Sequence, residues 1–158
     1  MGEYSPVLHL LYKGLLFYEG IVGTHFHGAQ AIVQKGNTVL LVRTRYRPYW
    51  EFPGGKAERY EAPEVAAVRE TKEEARVFIK HIARKLGTYT HHYLRRQTTI
   101  HVYVADQWDE LDLWVPNMEI SDRKFFPLDA LPENISPETS VRIQEFLSDS
   151  AHEFSGVW

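Results

Sequence analysis

The chain has 158 residues, of which 44% are hydrophobic and 25% are charged, as expected for one globular domain with its own core. The formal net charge of -3 gives no overall attraction to nucleic acid or to anionic membranes, so binding of nucleic acid is disfavoured. The absence of cysteine excludes thiol catalysis, cysteine-based zinc sites and a disulfide framework, and a cytoplasmic location is the simplest expectation.

The N-terminal segment is predicted to form a helix over residues 6–18. Lys13 and Glu19 interrupt its apolar stretch well short of the roughly 20 residues that a membrane span needs. A basic polar face is missing, which makes a peripheral membrane contact the weaker alternative. We therefore expect the helix to dock on the rest of the chain, or on a second copy in a homodimer, through a face formed by Val7, Leu8, Leu11, Leu15 and Tyr18.

The next segments read as a hairpin, a loop and a helix. Alternating and β-branched residues predict strands over residues 28–33 and 38–44, with Lys35, Gly36 and Asn37 in the turn between them. Two prolines and two glycines predict a loop over residues 45–55. Pro63 suits a first helical turn, and the breaker-free residues 64–75 predict a helix.

Two further strands are predicted over residues 87–93 and 98–105, joined by a turn at residues 94–97. In the second strand, Ile100, Val102 and Val104 share one face, and the other face carries Thr99, His101 and Tyr103. Residues 106–122 lack a period and predict a loop with at most a short strand. A short strand over residues 124–128 and a helix that starts at Ser136 complete the chain.

Three acidic residues carry the most specific chemical signal. Glu70, Glu73 and Glu74 have the spacing i, i+3 and i+4, which places their carboxylates on one helix face. Like charges at this spacing cost a few tenths of a kcal/mol per pair, so a divalent cation that neutralises them would explain the cluster. Arg69 lies four residues before Glu73 and could orient it. A solvated helix face with ion pairs is the alternative reading.

A longer pattern includes these residues. From Gly55 the chain follows G-x5-E-x7-R-E-U-x-E-E-x-G-U, where U is a bulky apolar residue, and this resembles the Nudix box. Only Thr71, in place of an apolar residue, and Arg76, in place of glycine, depart from it. Residues 39–43, 50–55 and 122–132 are also similar to segments of that family, so the resemblance extends from residue 28 to about residue 147.

The resemblance implies an α/β/α sandwich with a mixed β-sheet. Residues 28–158 would form the Nudix hydrolase domain, and residues 1–27 would add an extra N-terminal helix and lead-in. It further implies a pyrophosphohydrolase that uses Mg²⁺, with Mn²⁺ as the alternative, to hydrolyse a nucleoside diphosphate linked to another moiety. A small nucleotide, either a nucleoside triphosphate or a nucleotide sugar, is the favoured substrate.

The resemblance also implies roles for individual residues. The metal ligands would be Glu70, Glu74, the Gly54 carbonyl and Glu73, with Glu73 alternatively acting as an acid behind the ligands. Arg69, Glu70 and Glu73 would serve catalysis, and Glu70 is one candidate for the general base. Because members of the family differ in this role, three further candidates remain open, namely Glu58, Glu110 and Glu119.

Residues outside the box predict substrate contacts less specifically. Arg43 and Arg45 point toward the loop before the box and could meet phosphates beside Gly55 and Glu58, although a solvated strand edge is nearly as good a reading. Tyr93 occupies a position where family members acting on diadenosine polyphosphates carry tyrosine; a cross-strand packing role is the simpler explanation. His25 and His27 have a spacing that a strand could turn into a metal pair, but ordinary polar positions are the favoured reading. His91, His92 and His101 lie on predicted strands that could face the substrate, and contact with phosphate or base is the alternative to a surface role.

Two other functions remain compatible with the sequence. Because Thr71 and Arg76 depart from the family pattern, a module that binds a nucleotide without turnover is one of them. The other is an RNA 5′-end pyrophosphohydrolase, which would need a basic groove that the net charge of -3 does not favour.

Overall fold

The computed structural model describes residues 4–148 and 151–158, so residues 1–3 and 149–150 of the predicted domains lie outside it. The described residues form the helices α1 (Pro6–Val22), α2 (Pro63–Ala75) and α3 (Pro137–Leu147). They also form the strands β1 (His25–Lys35), β2 (Thr38–Thr44), β3 (Trp50–Glu51), β4 (Gly54–Lys56), β5 (Val77–Tyr93), β6 (Arg96–Glu110), β7 (Ile120–Pro127) and β8 (Phe154–Val157).

The strands form a mixed sheet in the order β3-β2-β1-β6-β5-β8, to which β4 adds on β1 and β7 on β2. Strands β1 and β6 are parallel, as are β5 and β8, whereas β1 and β2 form an antiparallel hairpin. Ala66 and Ala67 of α2 pack into the core on one side of the sheet, and Ile143 of α3 packs into the core on the other. This confirms the predicted α/β/α sandwich with an extra N-terminal helix.

Strand β6 shows why both sides of the sheet are covered. Its residues alternate between the two cores, with Val102 and Val104 on the α3 side and Tyr103 and Ala105 on the α2 side. Both sets are buried, as in a strand that is packed between helix layers. The alternation confirms the predicted assignment of the two faces of this strand.

The predicted elements exist, but several are longer than expected. Strand β1 begins at His25 because it pairs with β6 from its first residue, and β5 begins at Val77 because it pairs with β6 as far as Glu110. The prediction of a loop over residues 106–122 is therefore wrong at both ends. Strand β7 already begins at Ile120, which is fully buried against β2. The short strands β4 and β8 are held by pairing with partners distant in sequence, which no local pattern reveals. Strand β3 pairs with the preceding strand β2 inside the segment predicted as a loop.

Helix α1 docks through the side that was not predicted. Its capping residue Ser5 and the left-handed Gly23 bound the helix. Glu19 accepts a hydrogen bond from Arg96 Nε at 3.0 Å, His9 Nδ1 donates to the Tyr46 carbonyl oxygen at 2.6 Å, and Gly20 is the one buried residue of α1. Polar and aromatic contacts therefore attach the helix to the sheet.

The predicted apolar face of α1 is exposed, which corrects the docking prediction. Val7 and Leu11 are 68% and 66% exposed, and Leu15 and Tyr18 also lie more than half in solvent. The helix turns these side chains away because Arg96 of β6 and the Tyr46 backbone in the loop after β2 pair with polar groups of the opposite side. None of the helices in the described residues combines the length and hydrophobicity that a bilayer crossing requires.

The two departures from the box pattern are accommodated within α2. Thr71 is fully buried, and its hydroxyl donates to the Ala67 carbonyl oxygen at 2.7 Å. Arg76 ends the helix in the left-handed conformation at φ 52° and ψ 37°, as the position of the family glycine predicts. Its guanidinium pairs with the exposed Asp112 at 2.7 Å. Thr71 is therefore accommodated within the helix and Arg76 at its end, and neither displaces the carboxylates.

Replacing Arg76 by glycine is expected to stabilise the protein relative to Arg76→Ala by about 1 kcal/mol, because only glycine adopts the left-handed conformation without strain. Both variants lose the ion pair with Asp112, so their difference isolates the backbone term. Urea unfolding of the two variants measures it. Equal unfolding free energies would contradict the explanation.

Candidate active site

Helix α2 places its carboxylates beside the loop that precedes it. Glu74 is 6% exposed, and its Oε2 accepts a hydrogen bond from the Gly54 N–H at 2.8 Å. The Trp114 indole donates to the Glu74 carbonyl oxygen at 2.7 Å, which fixes the end of the helix. The structure thus brings together the predicted pair of Gly54 and Glu74, and it orients the Glu74 carboxylate by a backbone donor.

Neighbouring atoms lie so close to the backbone of Gly54 and Gly55 that neither position has room for a side chain. A Cβ on Gly55 would lie 2.6 Å from Glu70 Cδ, so the Glu70 carboxylate packs directly on the loop backbone. At Gly54, with φ 156°, a Cβ would collide with the Ala29 carbonyl oxygen of β1. A larger residue at Gly55 would displace the loop from the helix, and one at Gly54 would displace it from β1. The loop backbone, the buried Glu74 carboxylate and the partly buried Glu70 carboxylate therefore lie against one another, and we call this arrangement the cradle.

Arg69 holds the other carboxylates of the box. Its Nε and Nη2 donate to the two oxygens of Glu61 at 2.9 and 2.8 Å, while Nη1 donates to Glu70 at 2.7 Å. Glu73 is the outermost partner, at 3.4 Å, with its side chain 60% exposed. The hydrogen bonds from Arg69 and from the Glu58 backbone lower the pKa of Glu61 to about 2. Arg69 therefore connects the loop to the acidic helix face.

The charges at this site favour a bound cation. Burial raises the pKa of Glu74 well above its ordinary value, and the neighbouring carboxylates of Glu70 and Glu119 raise it further. Burial also raises the pKa of Glu70, against the opposing effect of Arg69. A divalent ion would relieve both the burial and the repulsion of these groups. The residues therefore fit a metal.

The cradle holds few side-chain ligands. Among residues 4–148 and 151–158, no three histidine, aspartate or glutamate side chains converge as a complete cation site. Magnesium suits this arrangement because it commonly takes one or two carboxylates and completes its octahedron with waters and substrate phosphates. Glu70 and Glu74 with the Gly54 carbonyl would hold it, and Glu73 would reach it from the exposed side.

A fourth carboxylate, Glu119, reaches the acidic helix face from the residue directly before β7. Glu119 lines a cavity of about 390 Å³ together with Glu70, Glu73 and Glu74, and it accepts a hydrogen bond from the Tyr46 hydroxyl at 3.2 Å. Of the other candidates for the general base, Glu110 binds Lys35 and Arg123 and lines none of the cavities described here. Glu58 lies in the loop beside Glu61.

A second cavity, which we call the roofed cavity, adjoins the same glycines. It has a volume of about 290 Å³, lies between α1 and the sheet, and is lined at one end by Gly54, Gly55 and Glu74. Tyr12, Leu16 and Glu19 of α1 form its roof, and Thr44, Thr98 and Gln30 belong to its walls. Sequence reasoning missed these residues. The signal that could have found them is the side of α1 that carries Tyr12, Leu16 and Glu19, next to Leu15 of the apolar face, which also lines the cavity.

The less specific substrate candidates lie elsewhere. Arg43 pairs with Asp122 at 3.4 Å and lies over the Trp50 ring, and Arg45 donates to the Asn117 carbonyl oxygen at 2.7 Å. Tyr93 is 43% exposed and faces Gly20 of α1. These three side chains line none of the described cavities. Their predicted roles in substrate binding stay predictions.

The histidines form a cluster that the sequence did not predict. His27 Nδ1 lies 3.0 Å from His101 Nε2, and the ring centroids of His25 and His27 are 5.2 Å apart. Together with Lys56 and Arg59 they line an open cavity of about 830 Å³ beside the loop that leads into α2. The parallel pairing of β1 with β6 brings them together.

Glu51, in the wall of the roofed cavity, is expected to make the stability of the protein depend on pH. It is 8% exposed and binds Arg47 at 2.8 Å. Burial raises its pKa from 4.5 to about 6 against the effect of Arg47, so the folded state holds this proton more tightly than the unfolded state. The contribution of Glu51 to the free energy of unfolding should therefore fall by about 2 kcal/mol as the pH rises from below 4.5 to above about 6.

Urea unfolding across this pH range measures the effect, with Glu51→Gln as the comparison. The variant cannot ionise, so its unfolding free energy should lack this part of the pH dependence. The same pH dependence in both proteins would contradict the assignment to Glu51.

Comparisons with known proteins add to this geometry. The profile of the NUDIX domain matches residues 25–146. The 8-oxo-dGTP diphosphatase of Proteus vulgaris is 32% identical over 84 residues, which cover 51% of this chain and 74% of that protein. Human diphosphoinositol polyphosphate phosphohydrolase 3-beta is 37% identical over 92 residues, which cover 58% of this chain and 55% of that protein. The chain spans about half the length of the diphosphoinositol polyphosphate phosphohydrolases that it matches.

Solved structures share the fold. A MutT protein from Bacillus halodurans has a TM-score of 0.70 at 18% identity, covering 82% of this chain and 86% of that chain. A MutT hydrolase from Burkholderia pseudomallei has a TM-score of 0.68 at 23% identity, covering 77% of this chain and 98% of that chain. A UDP-X diphosphatase has a TM-score of 0.61 at 19% identity, covering 92% of this chain and 74% of that chain. At these identities the likeness describes the fold alone.

Proposed function

The chain belongs to the Nudix family of pyrophosphohydrolases, and we propose that it hydrolyses a diphosphate bond in a small nucleotide with Mg²⁺ as the cofactor. The observation that carries the proposal is the cradle of Gly54, Gly55, Glu70 and Glu74, of which the two glycines and Glu74 also line the roofed cavity. A phosphate chain at the cradle would leave the rest of the nucleotide in that cavity. A nucleoside triphosphate or a nucleotide sugar fits this arrangement.

Each residue of the cradle has a distinct task in the proposed reaction. Glu74, fixed by the Gly54 N–H, and Glu70, fixed by Arg69, would hold the cation and keep the diphosphate next to the loop. The cation, when bound, supplies charge neutralisation on the phosphate oxygens and acidifies a water. A carboxylate must then accept the proton of the attacking water. Glu70 is one candidate, and the position of Glu119 in the adjoining cavity supports it as another.

A second candidate substrate is a densely phosphorylated, non-nucleotide diphosphate. Two observations favour it, namely the similarity to diphosphoinositol polyphosphate phosphohydrolases and the cluster of Lys56, Arg59 and three histidines in the open cavity. Glu58 and Glu61 in the same cavity weaken its attraction for anions. The roofed cavity therefore makes the nucleotide the first choice.

One experiment tests the proposed function. The wild-type protein and Glu74→Gln are incubated with Mg²⁺ and with nucleoside triphosphates, 8-oxo-dGTP, nucleotide sugars, a diphosphoinositol polyphosphate and 5′-triphosphorylated RNA, and the products are separated. We expect the wild type alone to cleave a small nucleotide. If the diphosphoinositol or the RNA is cleaved and no nucleotide is, the substrate assignment is wrong. Nucleotide binding without product from any compound would support the non-catalytic alternative.

A further inference from the structure

Three residues that line the roofed cavity each carry a buried polar atom without a hydrogen-bond partner among the described residues. Thr44 and Thr98 are each 7% exposed, and neither hydroxyl has a hydrogen-bond partner among the described residues. Gln30 Oε1 lacks a partner in the same way. A buried polar atom without a hydrogen-bond partner destabilises the folded protein, so three such atoms on residues that line one cavity indicate a ligand that supplies the missing bonds.

The roof of this cavity lies outside the part of the chain that matches the family. That match begins at residue 25, whereas Tyr12, Leu16 and Glu19 belong to α1. Glu19 is tied to Arg96 of β6 at 3.0 Å, and Tyr12 packs on Tyr46 with ring centroids 4.9 Å apart. Both attachments hold the helix over the cavity. The cavity is therefore closed by an element that this chain adds.

The walls suit a flat polar group. The side chains of Tyr12, Leu16 and Tyr46 offer apolar and aromatic surface, while the two hydroxyls and the Gln30 amide offer donors and acceptors for the edge of a ring. Of the cationic groups in the lining, Arg96 and Arg47 are paired with Glu19 and Glu51, and the Lys56 ammonium lies over the Phe26 ring at 4.0 Å. This combination of stacking surface and neutral polar atoms is the chemistry that recognises a nucleobase.

We propose that the roofed cavity is a nucleobase subsite, in which Thr44, Thr98 and Gln30 bind the base edge and α1 limits the size of the base. The proposal rests on the proposed function, because the phosphate chain must reach the cradle of Gly54, Gly55 and Glu74 at the end of the same cavity. It adds that α1 and the two threonines select the substrate, while the carboxylates perform the reaction.

Two matched pairs of variants test the subsite. Thr98→Val removes an unsatisfied hydroxyl, and Thr99→Val makes the same change on the next residue of β6, outside the cavity. Leu16→Ala shortens the roof, and Leu11→Ala makes the same change on the exposed side of α1. Should Thr98→Val fail to fold, Thr44→Val serves in its place. Each protein is assayed with a nucleoside triphosphate and with inorganic tripolyphosphate, which has no base.

We expect Thr98→Val to raise the KM for the triphosphate about tenfold with little change in kcat, because a hydrogen bond to the base acts equally in the ground and transition states. Leu16→Ala should change the ratio of KM values between purine and pyrimidine triphosphates. The interaction with tripolyphosphate, measured as KM or as an inhibition constant, should be the same in all variants. Thr99→Val and Leu11→Ala should match the wild type.

The outcomes separate the subsite from the reaction. If the wild type cleaves triphosphates but Thr98→Val behaves like Thr99→Val, the subsite is refuted and the proposed function stands. If no compound is cleaved, the proposed function fails, and calorimetry with nucleoside monophosphates decides the subsite. Binding that weakens about tenfold in Thr98→Val would support it. Equal affinity in the wild type and the variant would refute it.

Discussion

Replacing Glu74 by glutamine is expected to lower kcat for diphosphate hydrolysis by about a thousandfold. The amide oxygen of glutamine can still accept the Gly54 N–H, so the loop should keep its position. What is lost is the negative charge next to the cation and the phosphate chain. Since the carboxylate is almost fully buried, solvent cannot replace that charge. Steady-state kinetics at saturating Mg²⁺ measure the effect.

The matched control is Glu64→Gln, the same change on an exposed residue in the first turn of α2. It should leave kcat within a factor of two. Thermal unfolding with and without Mg²⁺ separates an effect on Mg²⁺ binding from an effect on folding, because an ion that binds only the folded state raises the melting temperature. The wild type and Glu64→Gln should show this rise, and Glu74→Gln should lose most of it. A full rise in Glu74→Gln would show that the ion binds elsewhere.

Arg69→Lys is expected to lower activity by about 10- to 100-fold although the charge is kept, as is typical for groups that orient metal ligands. The guanidinium donates two parallel hydrogen bonds to Glu61 and a third to Glu70, and a single ammonium cannot reproduce this geometry. Glu70 would then lose the group that orients it. The dependence of the rate on Mg²⁺ concentration should shift to higher concentrations, which a kinetic titration detects.

Arg76→Lys provides the comparison, since Arg76 makes one ion pair at an exposed site on the same helix. Its activity should match the wild type. The double variant Arg69→Lys with Glu61→Gln should lose less than the sum of the two single variants, because both changes break the same contact. Independent effects would mean that Arg69 acts without Glu61.

The acidic cluster could be predicted because it depends on local geometry. Helical periodicity alone places Glu70, Glu73 and Glu74 on one face, and the left-handed conformation of Arg76 follows from its position after the helix. The two faces of β6 follow from alternation in the same way. In each case the residues concerned lie within one element, so their spacing in the sequence determines their spacing in the structure.

Contacts between distant segments could not be predicted from the sequence. Glu119 reaches the carboxylates through the pairing of β7 with β2, and Thr98 faces α1 because β6 pairs with β1. The docking side of α1 was misjudged for a related reason. Hydrophobic periodicity favoured its apolar stripe, whereas the sheet offered polar partners that only the fold brings together.

The cradle and the roofed cavity differ in how far apart their residues lie along the chain. This difference bears on the order in which the two parts of the site form during folding. Gly54 and Glu74 are 20 positions apart, whereas His27 and His101, which report the pairing of β1 with β6, are 74 positions apart. Local contacts form early, and parallel pairing of distant strands forms late. A refolding chain should therefore acquire its affinity for the cation before its affinity for the nucleotide.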